Sequence, residues 1–433
     1  MLSRIRQGVS ELLNMNTKRI TAGVLIAAAI LVPVGYVLRT TAPSFDELWG
    51  RGNLLWYNTP PAVRSGANIY AGWMTSRREV VVGQISEREA FAAVVAQYHY
   101  LDDHGPPALY LPARGPDAGR VRVFYSLHNS PMFSRITATS GDITSWLDPV
   151  VVCDGESTYP VLCTTNDRLL LFYRRTDSDG ARPYCFRMSQ DHGRSFSDET
   201  VLVDAAPGEG ISGDWIYSLS VGDETTADVD LLFGVAVEGR VRDVYHIRSS
   251  DSGVTWQDGT GSRLTLPVLF HGLTAVMRTE GDRETRVWDV QRDPAGQLAA
   301  IWIDYDSADS VVCWSHRDST TNTWTTQEIA RQGLVCYPAG ACIVSVSPPV
   351  VLVSLKNAEG RYEIAEFSFI DQQWQKAAEP RLSSRTAHDL VRPMAVRNTG
   401  GKEVICVGVR AYPGYQRFDT FLRASFLPEH LSP

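Results

Sequence analysis

No pair of cysteines in this 433-residue chain has the CxxC spacing of a zinc or redox motif. The seven present, Cys153, Cys163, Cys185, Cys313, Cys336, Cys342 and Cys406, are scattered. An odd number cannot all pair within one chain, so at least one thiol is free or bound to another molecule. The body also lacks a basic stripe, and the net charge is −8. That argues against nucleic acid as a partner, since phosphate binding needs clustered Lys and Arg. Amphipathic helices are scarce, and the one candidate of note is "SRIRQGVSELLNM" near the start. Apolar residues are plentiful at 44%, in a chain long enough to bury a large core as one big domain or two smaller ones.

The longest apolar run is "ITAGVLIAAAILVPVGYVL", residues 20–38, which carries no charge. Nineteen residues are about enough to span a hydrocarbon core roughly 30 Å thick. Arg4, Arg6, Lys18 and Arg19 precede the run and only Arg39 closely follows it, which puts the N-terminus in the cytoplasm. The expectation is a single-pass membrane protein: a basic cytoplasmic segment 1–19, a transmembrane helix or signal anchor 20–38, a linker 39–50, and an extracytoplasmic body 51–433. The alternative is a cleaved signal peptide and a secreted body, with the small residues "TTA" at 40–42 at the cleavage site.

The body reads as strands throughout. Runs such as "EVVVGQI", "VRVFYSL", "RLLLFYRR", "LAAIWIDY" and "PPVVLVSL" are bounded by Gly, Asp, Asn and Pro. Many short strands at even spacing imply an all-β fold, a β-propeller of six or seven blades with seven favoured. "SQDHGRSF" (189–196) and "SSDSGVTW" (249–256) share the pattern S-x-D-x-G-x-[ST]-[FW] and resemble Asp-boxes, the turn motif of sialidase-type and related propellers. In such a turn Asp191 or Asp251 accepts backbone amides, Gly193 or Gly253 takes positive φ, and Phe196 or Trp256 packs on the blade. These are fold markers, so neither aspartate is assigned a catalytic role. The arginine of an "FRIP"-like motif expected early in a sialidase is absent.

Two histidine-bearing stretches stand next to one another, "YLDDHGPPALYL" (100–111) and "VFYSLHNSPMF" (123–133). His104 precedes one strand and His128 follows the next. If those strands are antiparallel neighbours, both imidazoles lie at one end of a blade. "DDH" (102–104), "FYSLHNSP" (124–131), "TYPVL" (158–162), "RLLLFYRR", the first Asp-box, "VWDVQRDPAGQLAAIWID" (287–304), "VRPMAVRN" and "GVRAYPGYQRFDT" (408–420) follow in order. Together they resemble the BNR-repeat (Asp-box) family of the ulvan lyase or rhamnose–glucuronate polysaccharide lyase type, a sialidase-like propeller. Two departures stand out: Gly105 follows the first histidine where the family usually has Asn, and the loop 112–119 looks enlarged.

The resemblance implies a polysaccharide lyase cleaving a uronic-acid-containing glycan by β-elimination. It makes His104 or His128 the base, with the other orienting or stabilising, and Tyr159 the acid or proton shuttle. Arg174 would neutralise the carboxylate, with Arg175 in its place if the register is off by one, because strand neighbours point to opposite faces. Asn129 would contact sugar hydroxyls or fix His128. A glycoside hydrolase, rhamnosidase- or sialidase-like, and a non-catalytic carbohydrate-binding propeller are the alternatives. No cofactor is expected. Asp102–Asp103 read as a turn, with Ca²⁺ binding the other reading. The resemblance also allows a structural zinc on His271, Cys313 and His316, against which the spacing of Cys313 and His316 on a strand counts. His192 is expected to face solvent, and Trp56, Trp73, Trp215 and Trp302 to sit in the core.

Overall fold

The β-branched and aromatic runs fold as strands because each alternates a packed and a pleat-facing side, and Gly, Asp or Pro ends each run where the chain must turn. The computed structural model describes residues 38–41, 52–55, 57–86, 89–178, 180–204, 217–221, 226–237, 240–306, 309–333, 339–383, 388–396 and 403–425. Within them the only helical element is a 3₁₀ turn at Phe270–Gly272. The residues before Leu38, including nearly all of the apolar run 20–38, lie outside this set.

The strands form successive antiparallel sheets in chain order, the arrangement of a β-propeller. The first holds Ala62–Ser65, Asn68–Met74, Glu79–Ile85 and Glu89–Gln97. Leu38–Thr41, at the end of the apolar run and the start of the segment read as linker, pairs with Glu89–Gln97 as an edge strand. The second sheet runs from Ala108–Tyr110 through Arg122–Tyr125, Ser130–Thr139 and Val150–Thr164 to Leu169–Arg175, Tyr184–Ser189 and Thr200–Asp204. Later sheets are built on Val229–Val237, on Leu298–Tyr305, on Val350–Lys356 and on Val404–Gly414.

Val150–Thr164 is the hinge of the second sheet. Its first half pairs with Ser130–Thr139, its second with Leu169–Arg175, and the two registers meet at Ser157. The pairing of Leu169 with Ser189 and of Arg174 with Tyr184 then sets the two ends of the sheet apart. Arg174 lies at one end and the first Asp-box at the other.

Both Asp-boxes adopt the same turn. Ser189 Oγ donates to Asp191 Oδ1 at 2.8 Å, and the Ser195 amide donates to the same oxygen at 2.9 Å. Ser249, Asp251 and Thr255 repeat this at 2.7 and 2.8 Å. Gly193 and Gly253 sit at φ 81° and 84°, as the turn requires. Trp256 is buried among Phe172 and Phe186, and Phe196 packs edge-on to Phe124. His192 is only half-buried and its Nδ1 meets the Tyr110 hydroxyl at 3.0 Å, so it bridges two hairpins instead of simply facing water.

Trp73 and Trp302 are buried, as expected of core residues; Trp56 and Trp215 lie outside the described set. The ring is tied shut by polar contacts: the Gly52 amide donates to Thr420 O at 2.8 Å, and Arg392 Nη1 donates to Asn53 Oδ1 and Leu54 O at 3.1 and 3.0 Å. No disulfide joins any two of the six described cysteines.

At Gly253 an added Cβ would stand 2.4 Å from Leu170 Cδ2, on a backbone already at positive φ. Gly253→Ala is therefore expected to destabilise the protein by at least ~1–2 kcal/mol, read as a lowered urea midpoint. Gly261→Ala, also at positive φ but with nothing within 4 Å, should cost less.

Candidate active site

Ala108–Tyr110 and Arg122–Tyr125 are antiparallel neighbours, so the chain before the first and after the second emerge at one end of the sheet. His104 and His128 meet there. Their rings stack with centroids 4.3 Å apart and planes 15° off parallel. The two aspartates before His104 hold the pair. Asp102 accepts from His104 Nδ1 and backbone N through Oδ1, while Oδ2 lies 3.5 Å from His128 Nδ1. Asp103 Oδ1 lies 3.0 Å from His104 Nδ1, and the Tyr412 hydroxyl donates to Asp103 Oδ2. The peptide turns here, Gly105 N donating to Asp102 O, and Asn58 Nδ2 pins the loop by donating to His104 O at 3.1 Å.

Tyr159 and Arg174 complete the cluster. The hinge strand bulges between Thr158 and Val161, and Tyr159 takes φ 64° there. A left-handed conformation costs a bulky residue about 1–2 kcal/mol, a strain that functional sites commonly retain. The Tyr159 ring lies 5.5 Å from that of His104, and the Arg174 guanidinium carbon lies 4.8 Å from the Tyr159 centroid. Tyr57 packs edge-on to Tyr159 at 5.0 Å.

Arg174 is buried, and among the described residues no carboxylate pairs with it. Its Nη2 donates to Asn129 Oδ1 at 3.1 Å, and Thr158 and Thr176 hydroxyls donate to that same oxygen at 3.2 and 2.9 Å. Asn129, itself at φ 52°, thus orients Arg174 and not His128. Arg175 is not brought to the cluster. Strand alternation turns it to the other face, where it is ion-paired with Asp177 and Glu199.

The charges in the cluster are split by environment. Burial alone would lower the His104 pKa, but hydrogen bonds to Asp102 and Asp103 outweigh it and push it up to about 9. Burial lowers His128, with Asp102 pulling the other way and the charges of His104 and Arg174 adding to the depression. Burial would raise Asp102, yet its hydrogen bonds with the two histidines hold it well below the usual carboxylate range. Tyr412 is raised by burial, with Asp103 adding to the rise, and stays a donor. At neutral pH an imidazolium therefore stacks on a neutral imidazole. Nε2 of His128 has no hydrogen-bond partner among the described residues.

Asp102, His104 and His128 are also the one group among the described residues whose potential metal-ligating atoms lie within 4.8 Å of one another. Both Nδ1 atoms are turned onto carboxylates, and the Asp102–His104 contact carries a proton, so the donor set suits a hydrogen-bonded cluster better than a cation. The suggested zinc set is not gathered. Cys313 and His316 alternate on Ser310–Arg317, and the side chain of His271 lies outside the described residues.

The closing hairpin, quoted above for the resemblance, carries no residue that the sequence pattern assigned to the site. Val404–Gly414 and Arg417–Ser425 bring Tyr412 under Asp103 and place Tyr415, 46% exposed, edge-on to His104 at 5.5 Å. Tyr415 offers an open aromatic face beside histidines whose side chains are only 13% and 23% exposed. "YPGYQRF" carried the signal, though nothing local tied it to His104, some three hundred residues earlier.

A family model described as "BNR repeat-containing family member" matches residues 68–332, more than half of the chain. The chain belongs to the BNR repeat-containing family. No curated protein sequence matches it. Among solved structures it is similar to an ulvan lyase of polysaccharide lyase family PL25, solved bound to -[GlcA(1-4)Rha3S]-. That match has a TM-score of 0.69 at 14% identity, over 90% of this chain and 96% of that one. The polysaccharide lyase Uly1 is similar with a TM-score of 0.60 at 12% identity, over 92% of this chain and 100% of that one. At such identities the likeness is one of fold, and it covers the propeller of this BNR-repeat chain nearly end to end.

His104 has a raised folded pKa, about 9, against ~6.5 for an unperturbed histidine. Its ion pairing therefore stabilises the fold fully below about pH 6.5 and ceases to do so as pH rises through about 9. The stability difference between wild type and His104→Gln, measured by urea unfolding, should shrink across that window. A pH-independent difference would contradict the pairing.

Proposed function

We propose that this BNR-repeat protein is a polysaccharide lyase that cleaves a uronate-containing glycan by β-elimination. The observation that carries the reading is Arg174: a buried guanidinium, oriented by Asn129, with no carboxylate partner among the described residues. A buried cation without a counter-ion is costly, and a substrate carboxylate gripped by the guanidinium fork would supply one. The glucuronate in the glycan bound by the PL25 relative fits that requirement.

Neutralising the carboxylate makes the C5 proton acidic enough to remove. His128, neutral at working pH, accepts that proton. The C5–H electron pair forms the C4–C5 double bond as the C4–O bond breaks. The proton on His104 passes to the leaving oxygen through the Tyr159 hydroxyl, whose ring lies beside both His104 and Arg174. Hydrolysis by paired carboxylates is less well supported, because Asp102 and Asp103 are taken up by His104, His128 and Tyr412.

Two further readings belong to this proposal. Seven blades follow if Val150–Thr164 is divided at Ser157 into the outer strand of one blade and the inner strand of the next. Residues 20–38 serve as a membrane anchor that holds the propeller outside the cytoplasm. If so, the protein should stay with the membrane pellet on alkaline extraction. Release of a shortened soluble form would favour signal cleavage.

The enzymatic test follows ultraviolet absorbance of unsaturated uronate on a panel of uronate polysaccharides that includes ulvan. Arg174→Met and His104→Ala should each lower kcat/KM by about 10²–10³, the scale of losing one transition-state contact. New reducing ends without absorbance would convert the reading to hydrolysis. Silence in both channels would defeat it for these substrates.

A further inference from the structure

The end of the sheet remote from His104 gathers arginines that the sequence scatters. Asp117, in the loop 112–119, accepts from Arg120 Nη1 at 2.8 Å and Arg122 Nη2 at 3.2 Å. Arg194 of the first Asp-box grips it with Nε and Nη2 at 2.8 and 3.0 Å. Three guanidinium groups thus share one carboxylate. Arg135 lines the same groove and spends its hydrogen bonds on the carbonyls of Leu147 and Val95. Exposed Asp148 is the second acid there. Four guanidinium charges less two carboxylates leave an excess of two positive charges, in a protein whose net charge is −8.

Asp191 of the same Asp-box also acts on Arg194 from outside the lining, and counting it still leaves the groove net positive by one charge. Arg122 and Arg135 are only 5% and 6% exposed, and Arg122 Nε has no hydrogen-bond partner among the described residues. Burial lowers the pKa of both; at Arg122 Asp117 opposes it, while the charges of Arg120 and Arg194 add to it. The groove measures about 250 Å³, just below the ~300 Å³ at which pockets for whole small molecules begin. It has room for one charged substituent of a longer chain. Leu147 and Val150, 48% and 56% exposed, lie along its rim and offer apolar surface to the C–H face of a sugar ring.

We propose that this groove is a second glycan-binding site, which takes a sulfate ester or a carboxylate of an anionic polysaccharide and holds the polymer away from the catalytic cluster. The proposal rests on the carbohydrate-active reading above. Guanidinium forks match both oxyanions bidentately. The negatively charged body repels polyanions elsewhere, so a positive groove decides where a long chain lies. A strand held there raises the effective concentration of its other segments at the catalytic end.

The test is affinity electrophoresis of the full-length protein through gels containing ulvan, desulfated ulvan or neutral dextran. Wild type is expected to be retarded by ulvan and not by dextran. Arg120→Gln/Arg194→Gln should weaken that retention by about tenfold or more, as expected for lost charge-assisted contacts, with turnover of short oligosaccharides unchanged. Loss of retention on desulfation assigns the sulfate ester; persistence assigns the carboxylate. Should the double variant fail to fold by thermal melt, Arg194→Gln alone, at a half-exposed side chain, carries the comparison. Retention of the variant equal to wild type, or no retention of wild type, overturns the groove while leaving the lyase reading intact. Groove-dependent retention without cleavage keeps the groove and defeats the lyase reading.

Discussion

One buried carboxylate, Asp102, organises the histidine cluster of this protein. Asp102 faces two stacked imidazoles at once, and two imidazolium rings at van der Waals distance would repel one another. The aspartate resolves this by favouring protonation of one ring. His104 sits against both Asp102 and Asp103 and holds its proton, while His128, desolvated by burial, more weakly tied to Asp102 and beside His104 and Arg174, stays neutral. Two side chains of one residue type thus differ in proton affinity through their environments alone.

The rest of the structure serves to hold that arrangement. Asn58, from the start of the propeller, fixes the backbone of His104; Tyr412, from its last hairpin, fixes Asp103. Between these ends, Gly52 and Arg392 tie the last sheet to the first. Closing the ring and assembling the site are thus one event. The contact of Tyr412 with Asp103 joins residues more than three hundred positions apart, so the site draws on both ends of the ring.

Much of this was legible residue by residue. The strand runs and the two Asp-box turns followed from spacing, because strand alternation and tight turns are local constraints; the convergence of His104 and His128 depended on their strands being antiparallel neighbours, which the pairing of Ala108–Tyr110 with Arg122–Tyr125 supplies. Alternation also restricted the Arg174–Arg175 pair to one inward residue, and burial selected Arg174. Of the two readings for Asn129, contact with sugar hydroxyls or fixing His128, the second gives way to Arg174, which donates to its Oδ1. Asp102 and Asp103 read as an ordinary turn, since nothing local reveals that a turn is buried beneath a tyrosine from the far end of the chain.

The sequence by itself determined the all-β architecture, the family and the residue types available for proton transfer, because these depend on patterns within a dozen residues. Tertiary structure decided which histidine keeps its proton, which arginine of the Arg174–Arg175 pair meets the cluster and which tyrosines border it. It also decided where charge accumulates. A chain without a basic stripe nevertheless builds an arginine groove, because Arg120, Arg122, Arg135 and Arg194 meet around Asp117 only when neighbouring hairpins pack. Burial and electrostatic potential are sums over neighbours in space, and the order of residues along a chain does not list those neighbours.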